Sequence, residues 1–558
     1  MVLLSESHRV QGDIDVAAFV KFFTGFTGSS ARVFVTPTHQ ALFVDARYTL
    51  QAQKECPSWE VVEVAGHHPA EPAFTAWLQA CKLTQMRIAS DFHFLSVADT
   101  QAWQKHWPSI TFVHTSLQDL VSPPPPILGG NSVSLEPYPL VYAGKTFAEK
   151  LANVIQTLQE VEPPPGLLIT SPENIAWLFN IRAQTWPLES CSPTLSSLAY
   201  VDAAKVLLFV PTGTQFDAPL EPSIETIFFE PHLRDSILAA AIPHEPSRQL
   251  LFSPTQTSLS LWEALVQKGF HLEPTRDPLA RFRCLKNEAE LKGARQAHIA
   301  ESEAISRLLL WLKNLASTPH PQDITEWTIA QKLEELRRAC PLYRGPSFPS
   351  IVATGPNSAL VHYTPKPETA APLHLPDALL LDVGGHYLGG TTDTTRTLWL
   401  GSTLPPPPFR RAYTNVLKGH ISLACSVFPK GTTGGQLDAL ARQFLWHDHT
   451  DYHHGTGHGV GNYLAVHEGP CNISSHCTTP LEKGMILSIE PGVYVEGQWG
   501  IRLENLYEVV EAGQDFLTFR PLTRVPFEES CIEKERLTPE EAAWLRDYDE
   551  HTHKSLSP

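Results

Sequence analysis

The sequence has no C-x-x-C pair, no apolar run near the ~20 residues of a membrane-spanning helix, and no surplus of positive charge. Each absence excludes something. Nine cysteines, an odd number scattered from Cys56 to Cys531, make no disulfide framework and suit reduced thiols in a cytoplasmic protein. A formal net charge of −17 argues against nucleic acid and against an anionic membrane surface as partners. The opening MVLLSESHRVQGDID is too short and too acidic for a secretory signal. The stretch CNISSHC puts Cys471, His476 and Cys477 close together, but no second ligand pair of suitable spacing follows, so it reads as a loop rather than a zinc knuckle.

What is present is an ordinary globular composition, 42% apolar and 18% charged, in 558 residues. That length exceeds one core and implies two to four domains. Prolines mark the joints. SPPPPILGG, Ser122 to Gly130, reads as a stiff interdomain linker, while EPPPG near Pro163 and PPPP at Pro405 to Pro408 read as loops. The expected organisation is a first domain over 1–120, a Pro-rich linker over 121–140, a second domain over 141–278, and a third over 279–558. In the first, the runs ARVFVT and ALFVDARY predict strands. Similar parts recur in ENIAWLFNIR and SLAYVDAAKVLLFV, which points to an old duplication. The third opens on an amphipathic helix with Ala304, Leu308 and Leu312 at helical spacing, then a second helix, DITEWTIAQKLEELRRA, then strand-like segments. Helices followed by mainly antiparallel strands predict an α+β domain.

The chemistry lies on those strands. LLLDVGGHYLGGTTDTTRTLWL predicts two strands around a Gly-rich turn, with Asp382 closing the first and Asp393 inside the second. Glu490 ends the apolar run of MILSIEPGVY. In GIRLENLYEVV, read as one strand, alternation puts Ile501 and Leu503 on one face, Arg502 and Glu504 on the other. One acid at a strand end is ordinary. Four of them beside apolar strands repel one another unless a cation or proton lies between. Near them HHGTGHGVGNYLAVHEGP, from His453 to Pro470, concentrates imidazoles among glycines that free the backbone to pass close to a ligand. It fits neither H-E-x-x-H nor a phosphate loop. Carboxylates with an imidazole and no thiolate suit a pair of divalent ions such as Mn²⁺, Co²⁺, Fe²⁺ or Zn²⁺. A water shared by two such ions ionises near neutral pH, so the reaction class is metal-assisted hydrolysis.

The set LDVGGHYLGGTTDTTRT, HGTGHGVGNYLAVHEGP, IEPGVY and GIRLEN resembles the pita-bread dinuclear metallopeptidases, in particular the long three-domain form of the Xaa-Pro aminopeptidase family. FFTGFTGSSA and LFVDARYTLQA look like its first domain, ENIAWLFNIR like its second, and PLTRVPFEES with LTPEEAAWLRDY like its tail. The resemblance implies an α+β pita-bread catalytic domain preceded by two related α/β creatinase N-terminal-like domains. It implies two divalent ions, Mn²⁺ first among them, held by Asp382, Asp393, His458, Glu490 and Glu504. Asp393 and Glu504 would bridge the ions, and Glu490 would also shuttle the proton. His362 and His467 would support the tetrahedral oxyanion and the departing proline nitrogen. His454 would line the substrate pocket, Arg502 would brace Asp382, and Arg47 would either reach the substrate or make a structural salt bridge. The implied substrates are peptides with proline second, and the implied assembly is a cytoplasmic homodimer.

Some residues depart from that pattern. Gly389 stands where Asp is expected, Tyr507 and Glu508 where apolar residues are expected, and His453 where Gly is expected. The chain also begins about where the family's first strand and helix should already be complete, so the first domain is expected to be truncated or its start misassigned. Three rival readings remain at this stage: a prolidase-type Xaa-Pro dipeptidase, an inactive peptide-binding or histone-binding relative, and a metal-free creatinase-like hydrolase. The last two normally lose metal ligands that are all present here.

Overall fold

The structure, a computed structural model, describes residues 2–5, 16–64, 72–82, 87–116, 133–186, 191–245, 248–316 and 324–556. The central stretch of the Pro-rich segment, Ser122 to Gly130, lies outside the described residues. The chain divides into two units, one comprising 1–139, 145–185 and 194–279, the other 140–144, 186–193 and 280–558.

In the first unit, short β-branched and aromatic runs pair into two sheets that repeat one topology. The first lobe contains β1 (Val2–Ser5), β2 (Arg32–Val35), β3 (Gln40–Asp45), β4 (Glu60–Val64), β5 (Arg87–Ser90) and β6 (Thr111–His114), in the order β4-β3-β2-β1-β5-β6. The second contains β7 (Ser134–Pro137), β8 (Gly166–Ile169), β9 (Ile181–Ala183), β10 (Leu198–Val201), β11 (Val206–Pro211), β12 (Gln215–Phe216), β13 (Ile224–Phe229), β14 (Gln249–Phe252) and β15 (His271–Pro274). Its main sheet runs β13-β11-β10-β8-β14-β15, and β12-β7-β9 form a smaller one. Pairing senses match at each step: the inner neighbours are antiparallel on one side and parallel on the other. That shared register is the structural counterpart of the duplicated sequence. At the start of this lobe Val2–Ser5 pairs with β2 and β5, and a helix at Val16–Thr24 follows. Phe34, Phe74, Trp77 and Trp103 fill the first lobe's core.

The second unit is built from helices laid on antiparallel strands. Ala304, Leu308 and Leu312 are buried along the helix Glu288–Ala316, and they pack on Leu379, Leu381 and Leu398 as their spacing predicts. The strands are β16 (Tyr343–Pro346), β17 (Ile351–Thr354), β18 (Asp377–Val383), β19 (Gly385–Tyr387), β20 (Gly390–Thr391), β21 (Thr394–Leu400), β22 (Val427–Pro429), β23 (Gly457–Gly459), β24 (Glu468–Ile473), β25 (Ile486–Ile489), β26 (Gly492–Val495), β27 (Trp499–Arg502), β28 (Asn505–Glu511) and β29 (Phe516–Pro521). One sheet runs β17-β18-β21 and another β22-β29-β28-β25-β23-β24. Each lies against a helix entered through a threonine capping box: Thr325 caps Glu326–Arg338, and Thr433 caps Gly434–Trp446. The two capping threonines also make matching bridges, to Pro372 and Pro480.

Two departures from the pattern have packing reasons. A Cβ on Gly389 would stand 2.7 Å from the Gly293 carbonyl oxygen, because the β19–β20 turn lies directly on the long helix. Tyr507 and Glu508, although polar, are buried with partners: Tyr507 bonds His420 at 2.7 Å, and Glu508 pairs with Arg295 and Arg520 at 2.9 and 2.8 Å.

Candidate metal centre

Two features of the strand reading are corrected. Asp382 lies in β18, but Asp393 precedes β21 rather than sitting inside it, beyond a turn that carries β19 and β20. GIRLENLYEVV is two strands in different sheets, not one. The break falls at Leu503 and Glu504, whose N–H groups donate to Pro491 and Thr395 carbonyls, 3.2 and 3.1 Å away. The alternation of residue types therefore continues across a change of partner. That change carries Glu504 to the edge of the β18–β21 hairpin, where Thr395 Oγ1 donates to its Oε2 at 2.7 Å.

The five residues implied as ligands come together. His458 Nε2 lies 3.4 Å from Asp393 Oδ2 and 3.5 Å from Glu490 Oε1. Asp393, His458 and Glu504 each present a donor atom within 4.8 Å of the others. Asp382 joins electrostatically, since its charge acts on Asp393, Glu490 and Glu504. Burial is nearly complete at Asp382 (8% exposed), Asp393 (5%) and Glu504 (1%). Burial first, then the charges of Asp382 and Glu490, drive the Asp393 pKa far above the ordinary carboxylate range. Burial and then Asp393, Glu490 and Asp382 do the same to Glu504. Glu490 is raised by burial, with His458 and Arg502 pulling against it.

The hydrogen-bond accounting shows what these groups lack. Asp382 Oδ1, Asp393 Oδ1 and Glu504 Oε1 are buried without a hydrogen-bond partner. Orphan carboxylate oxygens of this kind are costly to bury. Divalent cations would satisfy such oxygens, and the oxygen-and-imidazole donor set suits hard to borderline ions. His458 is prepared for such a role: its Nδ1–H donates to the Gly459 carbonyl at 2.9 Å, which leaves the Nε2 lone pair facing the acids. Ser488 fixes the edge of the site, donating to Glu490 Oε1 at 3.1 Å and accepting from His458 N–H at 2.9 Å. At two positions glycine is required by neighbouring backbone rather than by a ligand. A Cβ on Gly457 would stand 1.9 Å from the Ser488 carbonyl oxygen, and one on Gly459 would stand 2.2 Å from that of Glu468.

Around this group the remaining candidates divide. Arg502 donates to Asp382 Oδ2 at 2.6 Å, to Tyr494 Oη at 2.8 Å and to the Val361 carbonyl at 3.2 Å. The last contact places the residue before His362 against the same guanidinium. His454 Nδ1–H donates to the Gly455 carbonyl at 2.8 Å, so its Nε2 accepts the Tyr494 hydroxyl proton at 2.8 Å. A hydrogen-bonded line thus runs from Asp382 through Arg502 and Tyr494 to His454. The His467 ring lies 4.2 Å from that of His458, centroid to centroid. His453 is exposed. Arg47 forms an ion pair with Asp45 at 2.7 Å.

Three residues of the surroundings escaped the sequence reading. Tyr494 and Ser488 looked like ordinary strand residues. Glu468 is 3% exposed and is bound by Arg283 at 2.9 Å and by Lys286, which ties the strand after His467 to the segment before the long helix. Its visible signal was an acid beside a candidate histidine.

Known proteins supply the context. Residues 292–511 match the model of metallopeptidase family M24, 515–558 its C-terminal region, and 16–119 and 131–290 the creatinase/prolidase N-terminal domain. A relative from Pyricularia oryzae named "Probable Xaa-Pro aminopeptidase P" is 34% identical, over 95% of this chain and 88% of its own. "Aminopeptidase P1" of Lotus japonicus is 32% identical over 96% and 91%. A solved structure from Caenorhabditis elegans, described as a cytosolic X-prolyl aminopeptidase with a di-nuclear active site, matches with TM-score 0.88 and 30% identity. It covers all of this chain and 91% of that one. A Bacillus anthracis Xaa-Pro dipeptidase matches 69% of this chain at TM-score 0.55 and 23% identity, a likeness of fold alone.

Proposed function

Because this chain belongs to metallopeptidase family M24, among the Xaa-Pro aminopeptidase P proteins, we propose that it releases the N-terminal residue from peptides with proline in the second position. One observation carries the reading: Asp393 and Glu504, each with a buried carboxylate oxygen that has no hydrogen bond, gather with His458, whose Nε2 faces two acids at 3.4 and 3.5 Å.

The residues have the following parts in this proposal. Asp382, Asp393, His458, Glu490 and Glu504 would hold the two cations, with Asp393 and Glu504 shared between them. The chemistry that divalent ions would supply there is Lewis acidity toward a water and toward the scissile carbonyl, with neutralisation of the acids. Glu490, steadied by Ser488, takes the proton of the attacking water and returns it to the proline nitrogen as the bond breaks. His467 and His362 donate hydrogen bonds to the carbonyl oxygen as negative charge builds on it. His454, held by Tyr494, lines the side of the pocket that receives the peptide. Arg502 holds the Asp382 carboxylate in place. A bond to proline has no N–H to grip, so recognition rests on the ring and on the free N-terminal amine beside the acids.

The proposed ions are Mn²⁺, and the proposed assembly and location are a homodimer in the cytoplasm. The acidic chain and nine free cysteines support that location, and among the described residues no helix is long and apolar enough to cross a membrane. The proposed domains are 1–120, 141–278 and 279–558, joined first by a Pro-rich linker over 121–140; the two repeated sheets support the first division. Assay of Mn²⁺-loaded protein on an Xaa-Pro-Xaa tripeptide against an Xaa-Pro dipeptide tests the reading. Turnover confined to the dipeptide would replace it with a dipeptidase.

A further inference from the structure

A second histidine in this protein meets a carboxylate in the same way as His458, far along the sequence and in the first unit. His93 lies in the loop after β5, and its Nε2 is 3.6 Å from Asp235 Oδ2, at the start of the helix Arg234–Ala241. That distance is too long for a hydrogen bond. It matches the separation of two ligands on one tetrahedral ion, roughly 3.4 Å for bonds of about 2.0–2.2 Å. The corresponding separations at His458 are 3.4 and 3.5 Å.

The carboxylate shares the other mark of the catalytic acids. Asp235 is 8% exposed, its Oδ1 accepts from Arg234 Nε at 2.8 Å, and its buried Oδ2 has no hydrogen bond of good geometry, although the Ser260 hydroxyl also acts on this carboxylate. His93 is set up as a ligand. Its Nδ1 lies 2.9 Å from Oδ1 of Asp91, a buried acid, so the ring keeps its proton there and turns the Nε2 lone pair toward Asp235. The Ser260 hydroxyl stands 3.3 Å from the same Nε2. His114, at the end of β6, brings a second imidazole: a ligand atom of each of Asp91, His93 and His114 lies within 4.8 Å of the other two. Its Nδ1 now accepts a long 3.2 Å bond from Phe92 N–H. Arg234 and Glu263 are the other charged groups that face these residues.

The backbone holds the two sides in place. Leu259 N donates to Leu95 O at 2.7 Å, Ser260 N to Phe92 O at 3.1 Å, Val97 N to Thr257 O at 3.1 Å and Ala98 N to Pro254 O at 2.9 Å. The loop that carries His93 is thus fixed against the second lobe before any ion arrives, so binding there needs little reorganisation.

We propose that His93 Nε2 and Asp235 Oδ2, with His114 as a further imidazole and Asp91 orienting His93, bind one divalent transition-metal ion of the zinc type, which clips the first lobe to the second. Two imidazoles beside carboxylates favour Zn²⁺, Cu²⁺ or Ni²⁺ over Mg²⁺ or Ca²⁺. The clip is separate from peptide hydrolysis and uses none of the residues assigned to it.

The test is metal counting on full-length protein dialysed against Zn²⁺ alone, for the wild type, His93→Gln, Asp235→Asn, and His106→Gln as an exposed-histidine control. The expected count is three ions per chain for the wild type and His106→Gln, and two for His93→Gln and Asp235→Asn. Zn²⁺ added beyond catalytic saturation should raise the melting temperature of the wild type by a few degrees and leave those two variants unmoved. Asp393→Ala should lose catalytic ions yet keep the one that His93→Gln loses, so failure of the peptidase reading shows separately. A wild-type count of two, or an undiminished count in His93→Gln, overturns the proposal.

Discussion

Tyr494→Phe removes one oxygen atom from the line that joins Asp382 to His454. In the wild type the Tyr494 hydroxyl accepts from Arg502 at 2.8 Å and donates to His454 Nε2 at 2.8 Å, and burial raises its pKa to about 12, so it stays protonated in ordinary buffers. The phenylalanine ring fills the same space, and the loss is therefore polar. Arg502 keeps its bonds to Asp382 and Val361 but has one buried N–H without a partner, and His454 loses the contact that fixes its ring. A hydrogen bond to a charged donor contributes about 1.5–3 kcal/mol net. If that loss falls on the transition state, kcat/KM drops by roughly 10- to 150-fold at about 1.4 kcal/mol per decade. The assay is steady-state hydrolysis of an Xaa-Pro-Xaa tripeptide at saturating Mn²⁺, with metal content measured in parallel. Two ions should remain, because every ligand is intact. A kcat/KM within twofold of the wild type, with the variant folded and metallated, would refute the claim that this line positions His454 and Asp382.

Three further outcomes follow from other parts of the chain. Gly457→Ala places a methyl group 1.9 Å from the Ser488 carbonyl oxygen, so the backbone at His458 must shift; stability should fall by about 1–3 kcal/mol and metal affinity at least tenfold, read by urea unfolding and metal titration. His298 is fully buried, and burial lowers its pKa to about 4 from 6.5. Between those values the unfolded chain binds a proton that the native chain refuses, so stability is lost as pH falls from 6.5 toward 4, by about 3 kcal/mol in all. His298→Gln should remove about one proton from the pH dependence of the urea midpoint over that window, and an unchanged slope would contradict it. Leu308→Ala, at 0% exposure in the long helix, should cost about 2–5 kcal/mol without altering the metal count.

The centre was legible in the sequence where local chemistry conflicted with local structure. Asp382 and Glu490 come at the ends of apolar runs, Asp393 follows a glycine turn, and Glu504 puts an acid on a strand that otherwise reads as core; each looks wrong by itself and intelligible together. The repeated lobes could be read because both copies kept their strand patterning. What stayed hidden depends on partners distant in sequence. Tyr494 reaches His454 from 40 residues away, and Glu468 meets Lys286 across 182. Period-two alternation marks faces, not neighbours, so it ran unbroken through Leu503 and Glu504 while the backbone changed sheets there. The Asp393 misplacement has a similar cause: threonines on both sides favour a strand, but Thr392 N–H bonds back to Gly385 O at 2.9 Å and holds the turn open until Thr394.

The most direct test of the central claim is a metal titration of chelated protein followed simultaneously by bound-ion count and tripeptide turnover, on the wild type and on Asp393→Asn. The converging acids predict that turnover is absent without metal, rises with Mn²⁺, and plateaus as the catalytic pair fills, while Asp393→Asn holds neither ion firmly and stays inactive. Full turnover in thoroughly chelated wild type, or in Asp393→Asn, would contradict the account.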